Sequence, residues 1–264
     1  MRQAGTNARA ALAPKILTGI DANRAISERV GHGPRPRVLI TRPEPGASET
    51  AARIAALGLA PILGPVLTIV PIAPPRAPAG ITAILLPSGN AVAGLPMAMQ
   101  AVRVLTVGTA TASRARDAGF RDVTSADGDG AALVTLTQTS VAPGATLLLL
   151  AGRGHSRSLA TRLRQTGFRV IRRVVYAAEP VPRLPPAAEA ALRDGAPLTV
   201  LFFSAETARH FMRLVRAAGL AGSLRHCEAI TIGAQAEMAL EGGQWARVRV
   251  APRPTQDEML AYLR

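Results

Sequence analysis

The chain has 264 residues, 48% hydrophobic and only 3% aromatic, with a formal charge of +14. That length suggests one large or two medium domains whose core Ala, Leu and Val must fill. Its basic residues are scattered with few interleaved aromatics, no run of 18 apolar residues occurs, and Cys227 is the sole cysteine; these features argue against a nucleic-acid patch, a membrane-spanning helix, an intrachain disulfide and a Cys-based metal cluster.

The first 33 residues carry Arg2, Arg9, Lys15, Arg24 and Arg29 with Pro14 among them, and read as an extension outside the fold. ALAPKILTGI is too short and too interrupted for the apolar core of a signal peptide, so a cytoplasmic location is expected. RVLITRP at 37–43 reads as a strand ending in a Pro turn with Arg42 at its rim. A helix over 46–57 stops at Gly58, a short strand follows near 60–63, and PVLTIVPI at 65–72 is an extended segment bracketed by prolines. PPRAP at 74–78 marks a boundary.

From 82 onward the pattern alternates. Strands are expected near 82–86, 103–107, 121–124 and 146–150, with helices near 89–99, 110–118 and 130–139. AGRGHSRSLATRLRQTG is a Gly-turn with an amphipathic helix, and FRVIRRVVYAAEPV at 168–181 is extended. Then come helix 187–193, strand 198–203, helix 205–218, strand 228–232, helix 234–241, strand 246–250 and helix 255–263. Such alternation implies parallel sheets with right-handed crossovers.

The strand count divides the chain. Residues 75–167 can build a sheet and are expected to fold alone. The last three strands are too few for a well-covered sheet, and those at 37–41 and 60–63 would complete it. The expected class is therefore α/β, with two Rossmann- or flavodoxin-like parallel-sheet domains. Domain one is discontinuous (34–64 and 178–264) and domain two spans 75–167. Two linker strands, 65–74 and 168–177, join them, and the active site lies in the cleft between.

One unit is written twice. AILLPSGNAV followed by VRVLTVGTATA at 83–112 is matched by TVLFFSAETA and AITIGAQAEMA within 199–239. Each is strand, Ser-turn, helix, then strand, Gly-turn, helix. In open α/β sheets ligands settle beyond the carboxyl ends of strands, where helix N-termini present free N–H groups. Ser88 and Ser204 read as N-caps whose neighbouring N–H groups still face the rim. Gly108, Gly152 and Gly233 let a ligand approach the backbone.

Familiar catalytic signatures are missing. Arg157 stands where G-x-G-x-x-G needs its last glycine, and no Walker loop or G-x-S-x-G occurs. His32, His155, His210 and His226 lack metal-ligand spacing. His155 reads as an exposed helix start. Glu44, Asp127, Asp129 and Glu206 are rim positions without spaced partners. Tyr176, one of two tyrosines, is either a packing residue or a proton donor.

With these residues assembled, the chain resembles the uroporphyrinogen-III synthase family over about 35–264. VLITRP at 38–43, LPSGNAV at 86–92 (Pro87 where the family has Thr), VGTATA at 107–112, LLAGRG, VVYAAEP at 174–180, FFSAETARHF and APRPTQDEML carry the likeness. TIGAQAEMA departs from it, because Ala236 stands where the family pattern has threonine.

The resemblance implies a cofactor-free and metal-free lyase-type cyclisation of hydroxymethylbilane, a linear tetrapyrrole bearing acetate and propionate groups. Loss of the terminal hydroxyl gives an azafulvene. The substituted α-carbon of the last ring attacks, and the resulting spiro-pyrrolenine fragments and recloses with that ring inverted. Tyr176 is the implied catalytic residue. Arg42, Ser88, Asn90, Gly108, Thr109, Thr111, Gly152, Arg153, Ser204, Gly233 and Ala234 are the implied substrate-binding positions. A monomer is implied, with hydroxymethylbilane synthase as a transient partner and neither nucleic acid nor membrane involved. The competing reading is a two-lobe small-anion binding or sensor protein without chemistry; a weaker third, driven by charge, is a nucleic-acid binder.

Overall fold

Two sheets hold the eleven strands found among the described residues of the structure, a computed structural model that describes residues 35–73, 76 and 78–264. The 1–33 extension and three residues of PPRAP lie outside the described residues. The first sheet has the order β11-β10-β9-β1-β2 and is parallel throughout. It joins β1 (Arg37–Ile40) and β2 (Ala60–Leu63) to β9 (Leu198–Phe202), β10 (Cys227–Thr231) and β11 (Arg247–Val250). The second has the order β3-β8-β7-β4-β5-β6. Its members are β3 (Leu67–Pro71), β4 (Ala83–Leu86), β5 (Arg103–Thr106), β6 (Val123–Ser125), β7 (Thr146–Gly152) and β8 (Arg169–Pro180).

Residue alternation divides each sheet into two faces, as a side-chain period of two requires. In the first sheet Leu39, Val200 and Phe202 pack with α5 (Pro186–Arg193) and α6 (Ala205–Ala217). Val38, Ile40 and Leu201 pack on the opposite side with α1 (Gly46–Ala56) and α8 (Gln256–Ala261). In the second sheet Ile84, Leu86, Val104 and Leu148 face α2 (Thr109–Asp117). Ala83, Leu85, Leu105 and Leu149 face α3 (Gly130–Ser140) and α4 (Arg157–Gln165). Each fully buried Leu or Ile contributes about 1.5–3 kcal/mol of transfer free energy. Helix α6 shows the local logic. Ser204 Oγ accepts the Thr207 N–H at 3.1 Å, Ala208, Phe211, Met212 and Val215 form its buried stripe, and Gly219 at φ +69 ends it.

Two expectations change. The helix expected at 89–99 is two 3₁₀ turns, Gly89–Gly94 and Met97–Met99, separated by extended Leu95. Pro96 pushes the residue before it out of the helical region, and glycines at 89 and 94 weaken what precedes. Segment 168–177 is more than a linker. From Arg169 to Tyr176, with a register shift at Ala151/Gly152, β8 runs parallel to β7, and from Tyr176 to Pro180 it pairs antiparallel with β3. Without β8 the buried strand β7 would leave a row of unpaired backbone groups, which is costly away from water. The prolines around β3 confine it to the edge.

Candidate functional site

In each sheet the chain leaves two neighbouring central strands in opposite directions. From β1 it moves outward to β2, while β9 leads to β10 on the other side; α1 and α6, which follow β1 and β9, cover opposite faces. From β4 it moves to β5, while β7 leads to β8, again with the following segments on opposite faces. Such switch points open a crevice at the carboxyl ends of the strands.

A cavity of about 830 Å³ takes its wall from both crevices. Arg42 and Pro43 follow β1, and Phe203 to Thr207 follow β9. Pro87, Ser88 and Asn90 follow β4, and Arg153 to Ser156 follow β7. Tyr176 and Ala178 of β8, Leu67 and Ile69 of β3, Arg209 and Gln235 complete it.

Arg42 is the principal charge. Its guanidinium lies 4.3 Å over the Phe203 ring, and Nη1 donates long bonds of 3.4 Å to Thr50 Oγ1 and Gln256 Oε1. A Cβ on Gly46 would come within 2.6 Å of the guanidinium, so a glycine there makes room for it. Burial lowers the Arg42 pKa to about 10, and repulsion from Arg114 adds to the effect. Arg42 therefore stays charged at neutral pH, and among the described residues no carboxylate lies within 4.0 Å of it. Arg153 and Arg209 also line the cavity without an acidic partner among the described residues.

Tyr176 is 6% exposed. Burial pushes its phenol above the ordinary tyrosine range, opposed by the neighbouring Ser88 and Asn90 side chains and reinforced by the charge of Glu206. The hydroxyl thus remains a proton carrier at neutral pH. Both Ser-turns are caps: Ser88 Oγ accepts the Asn90 N–H at 3.3 Å, as Ser204 does for Thr207. At the start of α6 the N–H groups of Ala205 and Glu206 have no partner within the helix, and both residues line the cavity.

Two side-chain contacts link residues of one sheet unit to the other, the first of them an ion pair. Arg114 of α2 grips Glu49 of α1 through two bonds, one of them 2.7 Å from Nε. His155 Nε2, past β7, lies 3.2 Å from Glu206 Oε2 on α6.

Of the twelve positions expected at the site, Arg42, Ser88, Asn90, Arg153, Tyr176 and Ser204 line the cavity. Gly108, Thr109, Thr111, Gly152, Gly233 and Ala234 do not. Gly108 and Thr109 follow β5, and Gly233 and Ala234 follow β10, strands displaced outward from the switch points. Thr111 is buried within α2. Gly152 is reserved for the protein itself, because a Cβ there would meet the Tyr176 ring at 2.6–2.7 Å. Ala236, where the family pattern has threonine, is buried at 2% exposure. The wall also contains Pro43, Leu67, Ile69, Ala178, Phe203, Arg209 and Gln235, which reading strand ends alone does not single out. Arg209 carries a signal: it lies at i+3 from rim residue Glu206 on a helix.

Comparison with known proteins agrees with this geometry. The sequence matches the model of the family described as uroporphyrinogen-III synthase HemD over residues 48–261. The chain belongs to this family. The structure is similar to uroporphyrinogen-III synthetase from Helicobacter pylori 26695, with a TM-score of 0.58 and 19% identity, covering 87% of this chain and 98% of that one. At that identity the likeness speaks for the two-domain α/β fold. A mutant uroporphyrinogen III synthase from the extremely thermophilic bacterium Thermus thermophilus aligns at 20% identity over 86% of this chain and 97% of that one, with a TM-score of 0.46. No curated protein matches the sequence. Among the described residues no helix is long and apolar enough to cross a membrane.

Proposed function

We infer that the chain catalyses the reaction of its family, the cyclisation of hydroxymethylbilane to uroporphyrinogen III with inversion of the last ring. One observation carries the reading at the level of the site. Arg42, a half-buried cation without an acidic partner among the described residues, shares a cavity with the protonated phenol of Tyr176. The substrate brings acetate and propionate carboxylates that suit Arg42, Arg153 and Arg209, with bidentate pairing available to each guanidinium. The free N–H groups at the start of α6 suit a further carboxylate.

The chemistry asks for positioning and one proton. The electron-rich pyrrole expels the terminal hydroxyl as the Tyr176 phenol donates to the departing oxygen, so water, a phenolate and an azafulvenium cation result. The bound carboxylates then hold the last ring with its substituted α-carbon against the exocyclic methylene, which favours the spiro route over direct closure. Orientation of this kind is worth up to about 7–11 kcal/mol of barrier. Rearomatisation releases the proton that restores the phenol. On this reading the enzyme works as a cytoplasmic monomer, with hydroxymethylbilane synthase as a transient partner that supplies its substrate.

The test is direct. Purified protein is given hydroxymethylbilane, and the oxidised uroporphyrin products are resolved into type I and type III. Type III is expected; type I alone, at the uncatalysed rate, overturns the assignment.

A further inference from the structure

A carboxylate is unexpected on the wall of a cavity that takes a polyanion, yet Glu206 is the one acidic residue there among the described residues. Glu206 stands in the first turn of α6, where free N–H groups and the helix dipole stabilise a negative charge. The contact with His155 does not account for it, since both side chains are well exposed, at 47% and 39%, and exposed pairs contribute little. Arg209, at i+3 on the same helix, forms no ion pair with it.

The charges around the cavity form a pattern. Three arginines, Arg42, Arg153 and Arg209, are set against one glutamate, and the charge of Glu206 is felt at the Tyr176 hydroxyl. The substrate has the complementary pattern. Its periphery is anionic, whereas its pyrrole nitrogens carry N–H donors, and one of these becomes cationic as the hydroxyl leaves. We propose that Glu206 accepts the N–H of the terminal pyrrole and stabilises the azafulvenium cation formed beside Tyr176. This rests on the synthase reading above.

The step balances. The C–O bond breaks with its electron pair on oxygen, which takes the Tyr176 proton and leaves as water. The pyrrole nitrogen lone pair forms the C=N bond, so the positive charge develops on the N–H that faces Glu206. The carboxylate gains no proton and loses none. It offsets a charge absent from the ground state, which is the kind of interaction that accelerates a reaction rather than tightening binding.

That distinction gives the test. Glu206→Gln keeps size and a hydrogen-bond acceptor but removes the charge. Its kcat is expected to fall on the order of 10- to 100-fold. KM should stay level or decrease, because a polyanion then meets one fewer negative charge. Melting temperature should be close to that of the parent, and product should remain type III. Glu206→Asp keeps the charge and should recover a clear part of kcat, which guards against a folding defect in the first variant. A bridge between lobes would instead show as a change in KM or melting temperature with kcat kept. Parent-like kcat in Glu206→Gln, or Asp no better than Gln, overturns the proposal. If the parent makes type III product, either result removes only the role of Glu206; a parent that makes only type I removes the synthase reading and this inference together.

Discussion

The rims of the inner and outer strands carry the same local sequence signal yet occupy different places in the molecule. Past β4 and β9 the strand runs into Ser88 or Ser204, which line the cavity; past β5 and β10 it runs into Gly108 or Gly233, which do not, and only Gln235 of α7 (Ala234–Met238) reaches the wall from there. All four are strand-to-helix turns with free N–H groups. The difference is lateral position, since β4 and β9 each flank the point where the sheet order reverses. Only there do the flanking helices diverge and leave a crevice. A helix N-terminus is therefore a necessary but insufficient sign of a binding rim.

The strongest break of this comparison is at Tyr176, the proposed proton donor. Tyr176→Phe removes only the hydroxyl and should lower kcat roughly 10²- to 10⁴-fold while product stays type III. Unchanged turnover would reduce Tyr176 to a packing residue. Arg42→Gln comes next. Loss of one charged carboxylate contact is worth about 1.5–3 kcal/mol, or roughly 10- to 150-fold in kcat/KM. Thr109→Ala at the outer rim should stay within about twofold on the same reasoning. Equal losses at both would erase the distinction between the rims.

The glycines sharpen the contrast through stability. Gly152→Ala drives a methyl into the Tyr176 ring and should destabilise by about 1–3 kcal/mol, with lowered activity as the ring shifts. Around Gly108 a Cβ would meet nothing within 4 Å, so Gly108→Ala should stay within about 0.5 kcal/mol. Denaturant midpoints of the two variants decide it.

A shallower effect comes from His210, which ties the inner-rim helix α6 to the chain just past β8. Arg213 Nη2 donates to Nδ1 at 2.8 Å, so Nε2 carries the hydrogen and donates to the Val181 carbonyl at 2.9 Å. Burial, aided by Arg213, lowers the His210 pKa below the ordinary histidine value. The folded state then resists protonation, so this contribution is present above about pH 6.5 and is lost as pH falls through the lowered pKa. Melting temperature should decline on acidification through that window, and His210→Gln should flatten the decline.

Much of the architecture is legible in the residues because it follows from period and punctuation. Apolar runs such as AILL at 83–86 and TLLLL at 146–150 are buried on both faces, which is why they read as parallel strands without polar alternation. A helix over 89–99 is the wrong reading because Ala91, Val92 and Met97 suggest helical character, while Pro96 decides the local backbone. Segment 168–177 reads as a linker because extended residues look alike whichever neighbour they pair with. The division into a discontinuous domain (34–64 and 178–264) and an inserted one remains a proposal. With β8 paired to β7, a 75–167 fragment would expose a central strand, so a fragment carrying residues 66–181 is the better test of independent folding.

By itself the sequence determined the α/β class, the strand count and the two Ser caps, and it singled out Tyr176 and Arg42 as candidates, because each depends on local periodicity, turn chemistry or a short run of matched residues. Only the tertiary structure decided which rims meet. Strand order is a property of long-range pairing, and the same Gly-turn becomes cavity wall, bare surface or a socket for Tyr176 according to its neighbours across the sheet. The pairing of Glu206 with His155, and the place of Glu206 in a cavity lined by arginines, likewise arise from residues far apart in the chain, which no local pattern brings together.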